Sequence, residues 1–288
     1  MEGLIVKGIA GFYYVRAGGV VFQCKARGIF KKDGIVPMVG DSVMIEVLDE
    51  KNAVINAINE RKNAFIRPPV SNVDRFIVVL AAANPEPNFK TADRFLVMAE
   101  KNGAKAAICV NKIDIADRGI VQTVRDIYES VYPVVCVSAL LGEGISDLAG
   151  ILGTDRCALA GPSGTGKSTL LNALFPAGMA ETGELSQKTA RGKHTTRHTE
   201  LFLTESEAML FDTPGFSALD ITGIEDGELM HLFPEIAELF GKCKYRNCMH
   251  INEAGCAVRE AVKAGTIHRS RYGSYKDIIK EIRDNREF

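Results

Sequence analysis

The chain of 288 residues contains no tryptophan, and aromatic residues make up only 7% of it. It also lacks any run of 18 or more uncharged apolar residues, which excludes an ordinary membrane-spanning helix. The start, Met1-Glu2-Gly3-Leu4-Ile5-Val6-Lys7, has neither the basic opening nor the long apolar stretch of a secretory leader, so a cytoplasmic protein is expected. Net charge is almost absent at −1, yet it is unevenly spread: residues 1–67 sum to +3, 68–240 to −9 and 241–288 to +5. Two basic ends around an acidic middle suit a polyanionic partner, and equally suit plain solvated surface. What is present, 46% hydrophobic and 25% charged residues, describes a folded globular protein with room for two or three domains. Cys24, Cys109, Cys136 and Cys157 stand alone in apolar, strand-like surroundings and read as small core residues.

Residues 3–66 read as β. Five short β-rich runs (Leu4–Ile9, Phe12–Arg16, Val20–Ala26, Ser42–Val47 and Ala53–Ile58) are separated by glycines or Asp/Asn/Gly clusters. Five strands with no helical pattern predict a small barrel of the OB-fold type. Lys25, Arg27, Lys31 and Lys32 gather around the third run, and Phe12, Tyr13, Tyr14, Phe22 and Phe30 are available for stacking or for the core. Arg67-Pro68-Pro69-Val70-Ser71-Asn72 breaks the pattern and reads as a linker. Beyond it, apolar runs at 75–83, 106–110 and 133–137 alternate with helical periodicity at 92–99 and 119–130. This alternation predicts a doubly wound α/β domain with its binding crevice at the carboxyl ends of the strands.

The residues Gly161-Pro162-Ser163-Gly164-Thr165-Gly166-Lys167-Ser168-Thr169 lie between an apolar run, Cys157–Ala160, and helical spacing at Leu170, Leu171, Leu174 and Phe175. Strand, glycine-rich turn and helix make a phosphate-binding loop: backbone N–H groups curl around phosphates and the helix N-terminus adds a favourable dipole. Lys167 would reach the β- and γ-phosphates, and Ser168 would give a hydroxyl to Mg²⁺. Asn111-Lys112-Ile113-Asp114 follows the second strand, where the Asp114 carboxylate can accept from guanine N1–H and the N2 amine, a donor pair adenine lacks. Ser138-Ala139-Leu140 closes the third strand, where a backbone N–H can meet guanine O6. Together these motifs favour GTP over ATP. Asp212-Thr213-Pro214-Gly215 ends another apolar run; Asp212 can hold Mg²⁺ and Gly215 can offer its N–H to a γ-phosphate. The polar, basic stretch 188–198 is expected to be a switch loop, with Thr196 favoured over Thr195 as a further Mg²⁺ ligand.

The order of these motifs is itself informative. Base-reading residues at 111 and 138 precede the phosphate loop at 161 and the acidic strand end at 212, which predicts a circularly permuted GTPase domain. Phe216 stands where a water-orienting glutamine is usual after D-x-x-G, so slow intrinsic hydrolysis is expected, with His194 a candidate catalytic group and His198 another. Cys243, Cys248, His250 and Cys256 offer three thiolates and an imidazole within 14 residues, a ligand set for one closed, structural Zn²⁺ site. Around it lie Lys242, Lys244, Tyr245, Arg246, Arg259, Lys263, His268, Arg269 and Arg271, which suggest a docking surface for RNA. In the final helix, Tyr275, Ile278, Ile279 and Ile282 share one face and read as core.

The combination resembles the bacterial ribosome small-subunit-dependent GTPase (GTPase A) family over essentially the whole chain. The resemblance is carried by N-K-x-D at Asn111–Asp114, S-A-x at Ser138–Leu140, G-P-S-G-x-G-K-S at Gly161–Ser168, H-T-T at His194–Thr196, D-T-P-G-F at Asp212–Phe216 and the Cys243–Cys256 cluster. Thr165 and Lys193 depart from the residues common there and remove no ligand. It implies an OB-fold RNA-binding domain over 1–67, a permuted GTPase domain over 68–228 and an α-rich zinc-binding domain over 229–288. It further implies GTP/GDP and Mg²⁺ at the site, a monomer, and binding to the small ribosomal subunit and its rRNA late in maturation, with hydrolysis stimulated by that subunit. The residues alone leave open a permuted GTPase acting on another RNA-containing partner, and a non-catalytic RNA scaffold in which the nucleotide is structural.

Overall fold

In chain order the elements are β1 (Glu2–Ile9), β2 (Phe12–Ala17), β3 (Val20–Ala26), α1 (Gly28–Lys32), β4 (Ser42–Val47), β5 (Asn52–Ile58), β6 (Ala64–Ile66), β7 (Pro69–Ser71), β8 (Arg75–Ala81), α2 (Phe89–Lys101), β9 (Lys105–Asn111), α3 (Arg118–Tyr128), β10 (Val134–Val137), α4 (Ile145–Leu152), β11 (Arg156–Ala160), α5 (Lys167–Leu174), β12 (Glu200–Leu203), β13 (Met209–Phe216), α6 (Asp226–Leu229), α7 (Pro234–Ala237), α8 (Ala257–Ala264) and α9 (Arg269–Asp284). The computed structural model describes residues 1–32, 34–175, 199–203, 208–216 and 223–284. They divide into two compact units, one drawn from Met1–Phe76, Ile145–Ala160 and Lys167–Ala218, the other from Ile77–Gly144, Gly161–Gly166 and Leu219–Phe288. None of the described helices is long and apolar enough to cross a membrane.

In the first unit, alternation along the early strands turns Ile5, Val15, Phe22, Cys24, Val43, Ile45 and Ile55 inward, all buried. β1 pairs with β2, β2 with β3, β3 with β5, β5 with β4, and β4 returns to β1. The ring of pairings closes an N-terminal five-stranded barrel and so removes open sheet edges. Phe22 and Phe30 belong to its core, whereas Phe12, Tyr13 and Tyr14 are half-buried and the Lys25 ammonium lies 5.2 Å from the Phe12 ring centre. The expected linker at 67–72 is instead built into a hairpin, β6 with β7, in which Phe65 opposes Val70. Its anchor is Asp41, whose fully buried carboxylate accepts from Arg61 Nε at 2.7 Å, Ser71 Oγ at 2.6 Å and the Met38 N–H at 2.8 Å. Gly40 beside it has φ +98, and a Cβ there would fall 2.1 Å from the Ser71 carbonyl oxygen.

The same unit continues the sheet from the barrel. β1 meets β12 at Lys7 and Glu200, β12 runs antiparallel to β13 with Glu200 opposite Asp212, and β13 is parallel to β11. Phe216 is 1% exposed and stacks edge-on against Phe65 and Phe76, with ring centres 5.4 and 5.0 Å away.

In the second unit, the apolar run from Ile77 to Leu80 is at most 1% exposed, which explains the absence of alternation in β8. β9 neighbours it, and β10 runs parallel to β9 with Cys136 opposite Val110. α2 begins where the Asn88 side chain accepts from the Thr91 N–H, and its Ala92, Phe95, Leu96 and Ala99 are buried. The C-terminal helices share a core with α2, in which Val97 joins Phe233, Tyr275, Ile278, Ile279 and Ile282. Arg94 and Glu281 make a bidentate pair at 2.6 and 2.7 Å.

Arg271, expected on a basic surface, is 1% exposed. Its Nη1 donates to Asp93 at 2.8 Å, its Nε and Nη2 donate to Glu235 at 2.7 and 3.1 Å, and its guanidinium lies 4.6 Å from the Phe233 ring centre. It is therefore withdrawn from any RNA-facing surface. Lys242, Lys244, Tyr245, Arg246, Lys263 and Arg269 are exposed, and Arg259 donates to the Glu253 carbonyl at 3.0 Å.

Candidate nucleotide and metal sites

Asn111 is the last residue of β9 and is 2% exposed, so its amide must find partners within the protein. Its Nδ2 donates to the Thr165 carbonyl at 2.9 Å, while its Oδ1 accepts from the Ala139 N–H at 3.1 Å and the Lys112 N–H at 2.8 Å. One side chain thus ties the loop at 111–114, the loop at 138–140 and the glycine-rich stretch at 161–166. Lys112 then takes left-handed backbone angles (φ 65, ψ 38), which turn the chain into a single 3₁₀ turn, Ile113–Ile115, with Asp114 exposed. The Lys112 Nζ donates to the Asn84 carbonyl.

Two glycines let the loop pass where a side chain would collide. A Cβ on Gly161 (φ +142) would lie 2.5 Å from the Val79 carbonyl oxygen, and one on Gly166 (φ +91) would lie 2.3 Å from Asn111 Nδ2. Gly164 (φ +82) faces Pro85 at 3.6 Å. Thr165 is buried and its hydroxyl donates to the Pro162 carbonyl at 3.0 Å. Pro162 is half-buried and Ser163 exposed. Ser138 is fully buried, exchanges backbone bonds with Glu143 at 3.0 and 3.1 Å, and accepts from the Leu141 N–H at 3.2 Å. Next to these loops Ile115 is 56% and Leu140 78% exposed, apolar surface that a purine ring would cover. Val79 falls within the apolar run at 75–83, and the sequence assigns no role to Asn84 or Pro85.

In the first unit, Lys167, Ser168 and Thr169 open α5, with Ser168 and Thr169 exposed. Burial holds the Lys167 ammonium below its ordinary range, so an anionic group beside it would be favoured. Asp212 and Gly215 lie in β13, the parallel neighbour of the strand that leads into the loop. A serine hydroxyl at the start of α5 and a carboxylate on the strand parallel to β11 are hard oxygen donors of the kind Mg²⁺ takes. His194 and Thr196 lie outside the described residues.

The thiols and imidazole of Cys243, Cys248, His250 and Cys256 converge, with all four ligand atoms within 4.8 Å of one another. His250 Nδ1 is 3.5 Å from Cys243 Sγ and 3.4 Å from Cys256 Sγ, and those sulfurs are 4.0 Å apart. Tetrahedral zinc with ordinary bond lengths would set S···S edges of about 3.8 Å and S···N edges of about 3.6 Å. Burial first, and then the neighbouring Cys256 and Cys243, push the Cys248 thiol up to about 12, so thiolates packed here need a cation among them. Glu253 shapes the loop by accepting from the N–H groups of Met249, Ile251 and Asn252 at 2.7, 2.8 and 2.9 Å. The hydroxyls of Tyr272 and Tyr275 on α9 hold the carbonyls of His250 and Met249 at 2.7 and 2.9 Å.

A family model described as RsgA GTPase matches residues 58–222, and one described as RsgA N-terminal domain matches residues 2–55. A relative from Alkaliphilus metalliredigens, named small ribosomal subunit biogenesis GTPase RsgA, is 45% identical over 290 residues, covering 100% of this chain and 99% of its own. A relative of the same name from Geobacillus thermodenitrificans is 43% identical over 289 residues, covering 99% and 98%. The crystal structure of YjeQ from Thermotoga maritima superposes with a TM-score of 0.84 at 34% identity over 98% of both chains. That of YloQ, described as a circularly permuted GTPase, gives 0.82 at 38% identity over 99% and 95%.

Proposed function

The chain belongs to the RsgA GTPase family and hydrolyses GTP, and we propose that it does so on the small ribosomal subunit, assisting the subunit's late maturation in the cytoplasm as a monomer. Relatives at 40–45% identity over the full chain carry the name small ribosomal subunit biogenesis GTPase, which supports this choice of partner over another RNA or a silent scaffold. We assign the OB-fold RNA-binding domain to 1–67, the permuted GTPase domain to 68–228 and the zinc-binding domain to 229–288. The exposed basic residues Lys242, Lys244, Arg246, Lys263 and Arg269 fit phosphate contacts to rRNA.

The observation that carries the nucleotide assignment is the Asn111 side chain, which binds the phosphate-loop carbonyl of Thr165 and the Ala139 N–H together. In this reading Asp114 accepts from guanine N1–H and N2, Ala139 and Ser138 frame O6, and Ile113 and the Lys112 stem border the ring. The backbone of Gly161, Pro162, Ser163, Gly164, Thr165 and Gly166, with Lys167, Ser168 and Thr169, surrounds the phosphates. Ser168, Asp212 and Thr196 would hold Mg²⁺, which would offset the negative charge of the phosphates. Gly215 offers its N–H to the γ-phosphate. Phe216 is part of the core, which supports a site that awaits its partner for fast hydrolysis, with His194 the candidate for positioning the attacking water. Cys243, Cys248, His250 and Cys256 hold one structural Zn²⁺.

Single-turnover GTP hydrolysis with and without purified small subunits tests the proposal. Acceleration by tenfold or more, with co-sedimentation on small subunits in a non-hydrolysable GTP analogue, is the expected result. Association with large subunits only, or no turnover under either condition, would overturn it.

A further inference from the structure

Lys7, Glu200 and Asp212 form a lateral row across three adjacent strands. Lys7 on β1 is the register partner of Glu200 on β12, and Glu200 is the register partner of Asp212 on β13. Residues directly opposite on antiparallel strands project to the same face with Cβ atoms about 4.5–5.5 Å apart. The row therefore reads ammonium, carboxylate, carboxylate. Lys7 Nζ lies 2.9 Å from Glu200 Oε2, and the two side chains are 19% and 34% exposed, so the pair is partly screened from solvent.

Two carboxylates placed opposite one another repel, and that repulsion is relieved either by a neighbouring cation or by a metal ion. Lys7 supplies the first. It comes from the barrel, and the β1–β12 ladder carrying it has a single register pair among the described residues, Lys7 with Glu200. The ion pair sits at that register pair, so anything that shifts the barrel's first strand removes the compensating charge from Glu200.

We propose that Lys7 is a positioning residue for the divalent-cation site: by pairing with Glu200 it cancels the charge of the carboxylate opposite Asp212, so the seating of the barrel on β12 sets how tightly the cation is held. The inference rests on the reading of Asp212 as a Mg²⁺ ligand. Its direction follows from charge. With Lys7 in place, Asp212 faces a neutralised neighbour and the cation is held at moderate strength. With Lys7 withdrawn, the uncompensated Glu200 adds its field to that of Asp212 and the cation is held more tightly. The barrel end of the molecule thereby acquires a route to the metal and phosphate chemistry that needs no contact with the nucleotide.

The experiment is the release rate of a fluorescent GDP analogue from the full-length protein as Mg²⁺ is titrated, at low and high ionic strength. Lys7→Met is expected to move the Mg²⁺ midpoint about three- to tenfold lower at low salt and less at high salt. Lys7→Arg and the double variant Lys7→Met/Glu200→Gln should stay within about twofold of the parent, since each leaves no unpaired carboxylate in the row. Asp212→Asn should raise the midpoint more than tenfold in every background. A Lys7→Met midpoint equal to the parent's, with Asp212→Asn still shifted, overturns the proposal. An unshifted Asp212→Asn overturns instead the metal assignment beneath it. Should Lys7→Met fail to fold, Glu200→Lys supplies the decision: a midpoint about tenfold above that of Glu200→Gln supports the row, and equality refutes it.

Discussion

The side-chain amide of Asn111 donates to the carbonyl of Thr165 at 2.9 Å, joining the end of one strand to a loop 54 residues further along the chain. Its oxygen meanwhile holds the Ala139 N–H, so both polar ends of a buried side chain are committed. Asn111→Ala would leave a buried carbonyl and a buried N–H unpaired, each costing about 1–3 kcal/mol. The expected outcome is a fall in GDP affinity of about tenfold or more, read by fluorescent-nucleotide titration, together with a lower melting temperature. Unchanged affinity would separate the loops energetically.

Glycine substitutions should sort by what surrounds them. Gly161→Ala puts a Cβ 2.5 Å from the Val79 carbonyl oxygen in a left-handed backbone and should cost about 1–3 kcal/mol or more. Gly150→Ala, in α4 with nothing within 4 Å of the added carbon, should instead stabilise by up to about 1 kcal/mol. Urea denaturation of the two variants checks the sign of each.

Arg271→Met should be among the most destabilising single changes, because it strands Asp93 and Glu235 beside an apolar core, a loss of about 3–5 kcal/mol. Its pH dependence carries the mechanism. Burial already holds the Asp93 carboxyl above the ordinary range, against the pull of Arg271. A raised folded pKa means the folded state binds the proton more tightly, so this group's contribution is lost as pH climbs from about 3.9 through the folded value. Removing the guanidinium raises that folded value further, so the variant's deficit should shrink as pH is lowered from 8 to 5 (about three units). A deficit independent of pH would assign the loss to packing alone.

Metal analysis of the purified protein should find one zinc per chain, and Cys256→Ser should lose it. Because Tyr272 and Tyr275 of α9 hold the carbonyls of His250 and Met249, chelation is expected to lower the melting temperature and reduce helical signal. Chelation without effect on either would make the cluster dispensable to the fold.

The strands were legible because alternation and unbroken apolar runs report burial directly. Ile5 and Val15 alternate with less buried neighbours in the barrel, while Ile77 to Leu80 do not alternate because both of their faces are covered. The loops at 111, 138 and 161 were legible because their residue types are dictated by the groups they would bind. Arg271 was not: a lysine- and arginine-rich helix looks the same whether one guanidinium faces water or two carboxylates, and only the partners 178 and 36 residues away decide it. The hairpin at 64–71 was hidden by its prolines, which suppress strand propensity although an edge position tolerates them. Phe216 cannot orient a water, and its place between Phe65 and Phe76, invisible in the sequence, explains why a large apolar residue stands there.

In the proposed site the exposed carboxylate of Asp114 and the glycine-lined loop at 161–166 hold the same guanine nucleotide. The affinities of guanosine and xanthosine diphosphates for the parent protein and for Asp114→Asn test it most directly. Replacing the carboxylate with an amide swaps one acceptor for a donor, which suits the xanthine carbonyl, so the preference should invert, with guanosine binding weakened about 100-fold or more. If Asp114→Asn kept the parent's guanosine preference, the base would be read elsewhere and the permuted arrangement of the site would be wrong.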